Sequence, residues 1–195
     1  MIDKNNLKIE GHLLIKDKNT NEIIVDKNNA IHFENMSISL AKSLSHRPDG
    51  HIHEMHFGNG GSSVSAIGAI TYLPPNIAGA NADLYNSTFF KVIDDQSPLN
   101  NDPENNFLNV QHTTNSLFSD IVITATLDAK EPNGQEAFDD AINLEGDFIF
   151  DEIGLKTFTE TPGVGPLITH VIFNPVQKSL NRIFEIVYTI RISMV

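Results

Sequence analysis

The densest group of chemically capable side chains is His51-Ile52-His53-Glu54-Met55-His56. On a strand, His51 and His53 point to the same face, and two imidazoles so placed can chelate a divalent metal. A metal site of that kind needs a carboxylate four or five residues on and a further histidine from a neighbouring strand. Phe57-Gly58-Asn59-Gly60 follow instead, and Glu54 falls with His56 on the opposite face. His51 and His53 are carried as metal candidates that the rest of the motif does not complete, and no metal or other cofactor is expected. The alternative for the segment is a polar strand edge or a subunit contact whose histidines sense pH.

Gly58-Asn59-Gly60-Gly61-Ser62-Ser63 has the composition of a phosphate-cradling loop. A Walker loop ends in a lysine that reaches the phosphates, and no lysine lies between Lys42 and Lys91. A dinucleotide loop opens a helix, whereas Ala66-Ile67-Gly68-Ala69-Ile70-Thr71-Tyr72-Leu73-Pro74-Pro75 reads as a strand ended by proline. A tight turn with positive φ is the expected use of these glycines. Asp94-Asp95, Asp102 with Glu104, and Asp139-Asp140 lack the spacing of a calcium loop and are expected in solvated loops. With no cysteine and no G-x-S-x-G elbow, nucleophilic catalysis has no visible carrier. Carboxylate pairs for glycoside hydrolysis are close in space and not in sequence; with no tryptophan, a sugar platform would fall to Tyr72, Tyr85, Tyr188 or phenylalanines. The chain is read as a non-enzyme.

Strands must position most of these residues. Leu7–Asp17 and Glu22–Asp26 flank a turn-forming tract and read as a hairpin. Phe33–Leu44 is the one helix: Met36, Leu40 and Leu44, with Phe33 and Ala41, form an apolar stripe, and Arg47-Pro48-Asp49-Gly50 stops it. Strands are expected at Ile52–Phe57, Ala69–Leu73, Phe89–Ile93, Phe107–His112, Asp120–Leu127, Phe148–Phe158 and Leu167–Phe173. Arg182–Ser193 puts Phe184, Ile186, Tyr188, Ile190 and Ile192 on one face, the clearest period of two in the chain. The expected fold is mainly β, an antiparallel sandwich or barrel-like sheet with one short helix packed on it, in a single domain over 1–195. Residues 94–106 are expected as an exposed loop.

Thirteen basic against twenty-five acidic residues give a net charge of −12 over 195 residues. Such a surface repels nucleic-acid phosphates and anionic lipid, so neither is an expected partner. The start of the chain, MIDKNNLKIE, is polar and has no apolar core of a signal peptide, and no apolar stretch is long enough for a membrane helix.

Three groups of segments carry a resemblance. They are Asp26–Met36 running into the helix; His53–Gly61 (HEMHFGNGG) continuing into Ile70–Asn76 (ITYLPPN); and Phe150–Lys156 (FDEIGLK) with Thr169–Arg182 (THVIFNPVQKSLNR). Together they resemble the small virion structural proteins of marine and cyanobacterial contractile-tailed bacteriophages. The resemblance implies a β-rich subunit of the neck, tail, fibre attachment or capsid surface. It would be made in the host cytoplasm and carried in the virion, with other virion proteins and copies of itself as partners. Capsid decoration and a carbohydrate- or receptor-binding fibre module are the alternatives, and a cupin-like metalloenzyme using His51 and His53 is the rival from another class. Interfaces are expected at the loop 94–106, at the Gly58–Ser65 turn (Asn59, Gly60), at the turn 74–76 (Pro74, Pro75), on one face of a terminal strand, and in a clasp over Asn174–Arg182. In that clasp Pro175 opens the segment, and Lys178 and Arg182 offer positive charge to acidic neighbours.

Overall fold

Leu13 and Ile15, then Ile123, Ala125 and Leu127, then Phe184, Ile186, Tyr188 and Ile190 are buried on alternate residues of three strands. That alternation builds one wall of the core. The computed structural model of the chain describes residues 6–129, 131–132, 148–179 and 181–194. In chain order the elements are β1 (Leu7–Asp17), β2 (Ile23–Asn28), β3 (Ala30–Ile31), α1 (Phe33–Leu44), β4 (Ile52–Gly58), β5 (Ser62–Val64), β6 (Ile70–Tyr72), β7 (Ser87–Val92), β8 (Phe107–His112), β9 (Phe118–Leu127), β10 (Phe148–Thr157), β11 (Leu167–Lys178) and β12 (Phe184–Met194). Two five-stranded sheets, ordered β2-β1-β12-β9-β8 and β3-β11-β10-β4-β7, are antiparallel throughout and packed together as a sandwich, and β5-β6 is a separate two-stranded ribbon. The mainly β class, the helix and the first hairpin are as the sequence predicts.

The second wall comes from Met55 and Phe57 on β4, Phe148, Phe150, Ile153 and Leu155 on β10, and Val171 and Phe173 on β11. On β10 the inward residues switch from even to odd numbers between Phe150 and Ile153. The switch is a bulge, since Phe150 faces Val176 while Glu152 faces Ile172. Three β11 residues, Phe173, Asn174 and Pro175, therefore stand against Asp151 alone, and Pro175 sits where no ladder hydrogen bond is asked of it. Asp151 and Glu152 both leave the core side. A bulge that re-aims two consecutive carboxylates decides what the outer face of this sheet can do.

The helix has the expected bounds but a different buried face. His32 caps it, its Nδ1 accepting from Asn35 N–H at 3.2 Å. Asn35, Met36 and Ser39 are buried, while Phe33 is 67% and Leu44 88% exposed. Asn35 Nδ2 donates to Leu167 O at 2.8 Å and Ser39 Oγ to Gly50 O at 2.6 Å, so two polar side chains, and not the outer ends of the apolar stripe, face the body.

The loop at 94–106 is bound to the body as well as exposed. Asn106 is fully buried and its Oδ1 accepts from Thr126 N–H at 3.1 Å, while Asn100 Nδ2 donates to Asp94 O and Asn106 O. Asp139 and Asp140 lie outside the described residues. Among those described, no helix is long and apolar enough to cross a membrane.

Candidate functional site

The outer face of the β3-β11-β10-β4-β7 sheet carries a buried polar layer. Register sets Gly154 between His56 and His170, and Lys156 beside Glu54. Glu54, His56, Glu152, Lys156 and His170 are each at most 2% exposed. Two Glu–His pairs result: Glu54 Oε2 with His56 Nε2 at 2.9 Å, and Glu152 Oε2 with His170 Nε2 at 2.9 Å. In an open cleft such pairs would be acid–base dyads. Here their remaining atoms are engaged by the chain itself. Asn76 N–H donates to His170 Nδ1 at 2.8 Å, which puts the ring proton on Nε2 and aims it at Glu152. Glu152 also accepts from Asn86 N–H at 2.8 Å, Tyr85 N–H at 3.0 Å and Gly60 N–H at 3.1 Å. Gly163 N–H donates to Glu54 at 3.0 Å, and Lys156 Nζ reaches Asp83 Oδ2 at 2.8 Å and Gly163 O at 3.0 Å.

Asp151 completes the arrangement, accepting from Gly61 N–H at 2.9 Å and Ser62 N–H at 2.7 Å, and from the Ser62 hydroxyl. The glycine segment is thus an anion cradle whose anions are Asp151 and Glu152 of the same chain. It is not the positive-φ turn the sequence suggested: φ is positive at Gly68, Gly79 and Gly163, and not at Gly58, Gly60 or Gly61. Close approach demands glycine instead. A Cβ on Gly58 would stand 2.4 Å from Asn86 O and 2.5 Å from Glu152 Oε1, and one on Gly60 2.8 Å from Asn86 N.

Electrostatics follow from these contacts. Burial pushes the Glu152 carboxyl up, but the hydrogen bonds from His170 and from the Asn86, Tyr85 and Gly60 N–H groups outweigh it and hold it below its ordinary value. Glu54 is lowered in the same way, burial being overcome by His56 and Gly163 N–H. Burial lowers His56 against the opposing pull of Glu54, keeping the ring neutral. Asp151 goes up, because burial exceeds what Ser62 and Gly61 return, and Glu152 lies beside it.

What the carboxylates hold is the root of the β5-β6 ribbon, closed by Leu73 N–H to Gly61 O at 2.9 Å. Beyond the root, every residue from 63 to 74 is exposed, including Val64 at 63%, Ile67 at 90% and Ile70 at 42%. The ribbon is an arm: Val64 and Ile70, paired across it, share one face, and Ile67 lies beyond them in the turn. A charge gap marks it in the sequence: from Met55 to Ala82 there is no Asp, Glu, Lys or Arg. That gap was the signal available to sequence reasoning, which took 69–73 as an ordinary strand and missed β5.

A second feature lies at the open end of the sandwich, between α1 and β8. A cleft of about 600 Å³ is walled by Met36, Leu40, Ile52, Leu108, Val110 and Ile121, with His51, Asp94, Asp95 and Gln96 also on its lining.

The residues singled out from the sequence separate into different places. His51 stacks on Phe158 at 5.2 Å between centroids and its Nε2 stands 3.3 Å from Asp94 Oδ2. His53 is fully buried, with Nε2 3.1 Å from Ser97 Oγ and Nδ1 without a hydrogen-bond partner. No third ligand joins them: among the described residues no group of three or more His, Asp or Glu is placed to hold a metal. Asn59 Oδ1 accepts from Asn86 Nδ2 at 2.5 Å and Gly60 belongs to the cradle. Pro74 is exposed and Pro75 half-buried at the foot of the arm, where Tyr85 O–H donates to Pro74 O at 2.8 Å.

The clasp expected over 174–182 needs correction. Asn174 and Pro175 belong to β11, and Asn174 Oδ1 accepts from the Tyr72 hydroxyl on the arm. Lys178 offers no charge to a neighbour. It is fully buried, donating to Asp128 O at 2.8 Å and Glu131 O at 2.7 Å, and burial drops its pKa to about 8. Arg182 Nε donates to Asp17 Oδ2 at 2.7 Å and its guanidinium lies over Phe184. Alternation on a strand sent one of these cations inside, and the other is engaged on its own body. In comparisons with protein-family models, curated proteins and solved structures, nothing matches the chain.

Proposed function

We propose that the chain is a non-enzymatic structural subunit that joins its neighbours in a symmetric assembly through the β5-β6 arm. The resemblance noted above makes that assembly a tailed-phage virion and favours its neck or tail. One observation carries the reading. An isolated two-stranded ribbon is marginal in water, yet this one exposes Val64, Ile67 and Ile70 on a root fixed by two buried carboxylates. Exposed apolar surface in one place marks an interaction site, and a fixed root presents it in one direction. The Glu–His pairs support the same reading, because each is taken up by backbone N–H groups that hold loops.

The test is electron microscopy of particles purified from cells producing the chain with an epitope inserted between Glu160 and Thr161, both exposed. Antibody density at symmetric positions on the particle is expected. Epitope found only as free monomer, with none on any particle, would sink the reading.

A further inference from the structure

We infer that the partner of the arm is a second copy of the same chain, and that the arm seats in the cleft between α1 and β8 of that copy. The inference rests on the assembly role proposed above and names what the arm engages.

Charge is the first reason. At a net charge of −12, like copies repel across most of their surface. Two stretches escape this. The arm belongs to the run from Met55 to Ala82 and β8 to the run from Asn105 to Ser119, and neither run contains Asp, Glu, Lys or Arg. One is convex and apolar; the other borders a concave apolar cleft of about 600 Å³. Two copies that meet on these surfaces bring no acid of the arm against Asp94 or Asp95.

Backbone geometry is the second reason. β8 is an edge strand, paired with β9 in unbroken register, and on its other side Asp95 meets it at Leu108. Leu108 N–H is directed away from β9, at Asp95 Oδ1 3.4 Å off, so alternation turns the N–H groups of Val110 and His112 the same way. Charges, prolines and bulges ordinarily protect such an edge; Phe107–His112 itself carries no Asp, Glu, Lys, Arg, proline or bulge, and the Asp95 carboxylate covers it at Leu108, ahead of Val110. A ribbon strand can add to it while its apolar side chains enter the cleft beside Val110, itself 70% exposed.

The arm is rooted on one sheet and β8 edges the other. The contact joins unlike surfaces, so two copies either exchange arms reciprocally in a closed dimer or repeat the contact in a ring or filament.

The absence of cysteine allows a direct test. Ile67→Cys and Val110→Cys proteins are purified separately, mixed and oxidised. A covalent dimer linking position 67 of one chain to 110 of the other is expected from the mixture and from neither protein alone. Ile67→Asp is expected to weaken self-association, read by sedimentation, about tenfold or more, with an unchanged circular dichroism spectrum and melting temperature. Cross-linking of Ile67→Cys to itself alone, or none in the mixture, overturns the inference. If the mixture fails to cross-link and Ile67→Asp still drops from particles, the arm binds a different chain and the assembly role survives. If the epitope is on no particle, the assembly role itself has failed.

Discussion

At its root the β5-β6 arm is among the most tightly specified parts of the chain, and a few residues further out it is bare. Gly60, Gly61 and Ser62 give their N–H groups to Glu152 and Asp151, whereas 63–74 are exposed throughout. Both regions use small or apolar residues, and both lack charge of their own. They differ in where their backbone polar groups go. At the root, desolvated carboxylates accept charge-assisted hydrogen bonds, each worth ~1.5–3 kcal/mol. Further out, Tyr72 O–H to Asn174 Oδ1 and Tyr85 O–H to Pro74 O tie the returning strand to the body, while the tip is held by the β5-β6 ladder and the Ser65–Ala69 turn. A fixed root settles the arm's direction during folding, so a partner that takes the tip orders little further chain. Rigidity and exposure have been separated along one hairpin.

Removing the root's acceptor is the strongest way to break that contrast. Glu152→Ala leaves three loop N–H groups and His170 Nε2 without their partner in a buried layer. A loss of ~3–5 kcal/mol is expected from urea unfolding, with hydrogen-exchange protection falling at Gly60, Tyr85 and Asn86. Stability left intact would mean that the carboxylate does not hold the root.

Acidification probes the same layer with a smaller effect. His56 is held below its ordinary 6.5, so the unfolded chain takes up that proton first and stability falls as pH drops below 6.5. Glu54 and Glu152 are held below their ordinary 4.5; their contribution is full above 4.5 and is lost as pH falls through their folded values. Asp151, raised above its ordinary 3.8, works in the opposite sense, since the folded chain takes that proton first. Melting curves from about pH 8 to about pH 5 should show stability declining below pH 6.5, with the decline reduced by His56→Gln. A flat profile in the unaltered protein contradicts the assignment.

The tip should respond least. Ile67 is 90% exposed, so Ile67→Asp is expected to shift unfolding free energy by no more than about 0.5 kcal/mol. A loss several times larger would show that the tip packs on its own body, and the contrast would disappear.

Much of this fold was legible in one dimension. Period two in 184–192 and 121–127, the hairpin at the start and the Pro48 stop after α1 all describe local preferences that the sandwich keeps. The site was legible only in part. HFGNGG was marked by its glycines, but Asp151 and Glu152 were read only as part of the strand Phe148–Phe158, and nothing in the sequence pairs these two segments. Lys178 and Arg182 were misplaced for a related reason. Their charge was visible, whereas the carbonyls of Asp128 and Glu131 and the carboxylate of Asp17 that engage them come from distant positions.

The sequence by itself determined the class of fold, the helix and its ends, and a strongly negative surface with charge-free gaps, because these follow from side-chain period, turn chemistry and composition. Only the tertiary structure decided that α1 buries Asn35 and Ser39 in place of Phe33 and Leu44, that a glycine loop wraps two carboxylates of its own chain, and that one charge-free gap stands out as an arm while another lines a cleft. Each of those outcomes depends on hydrogen-bond partners and surface curvature supplied by residues far away in the chain, which no local pattern encodes.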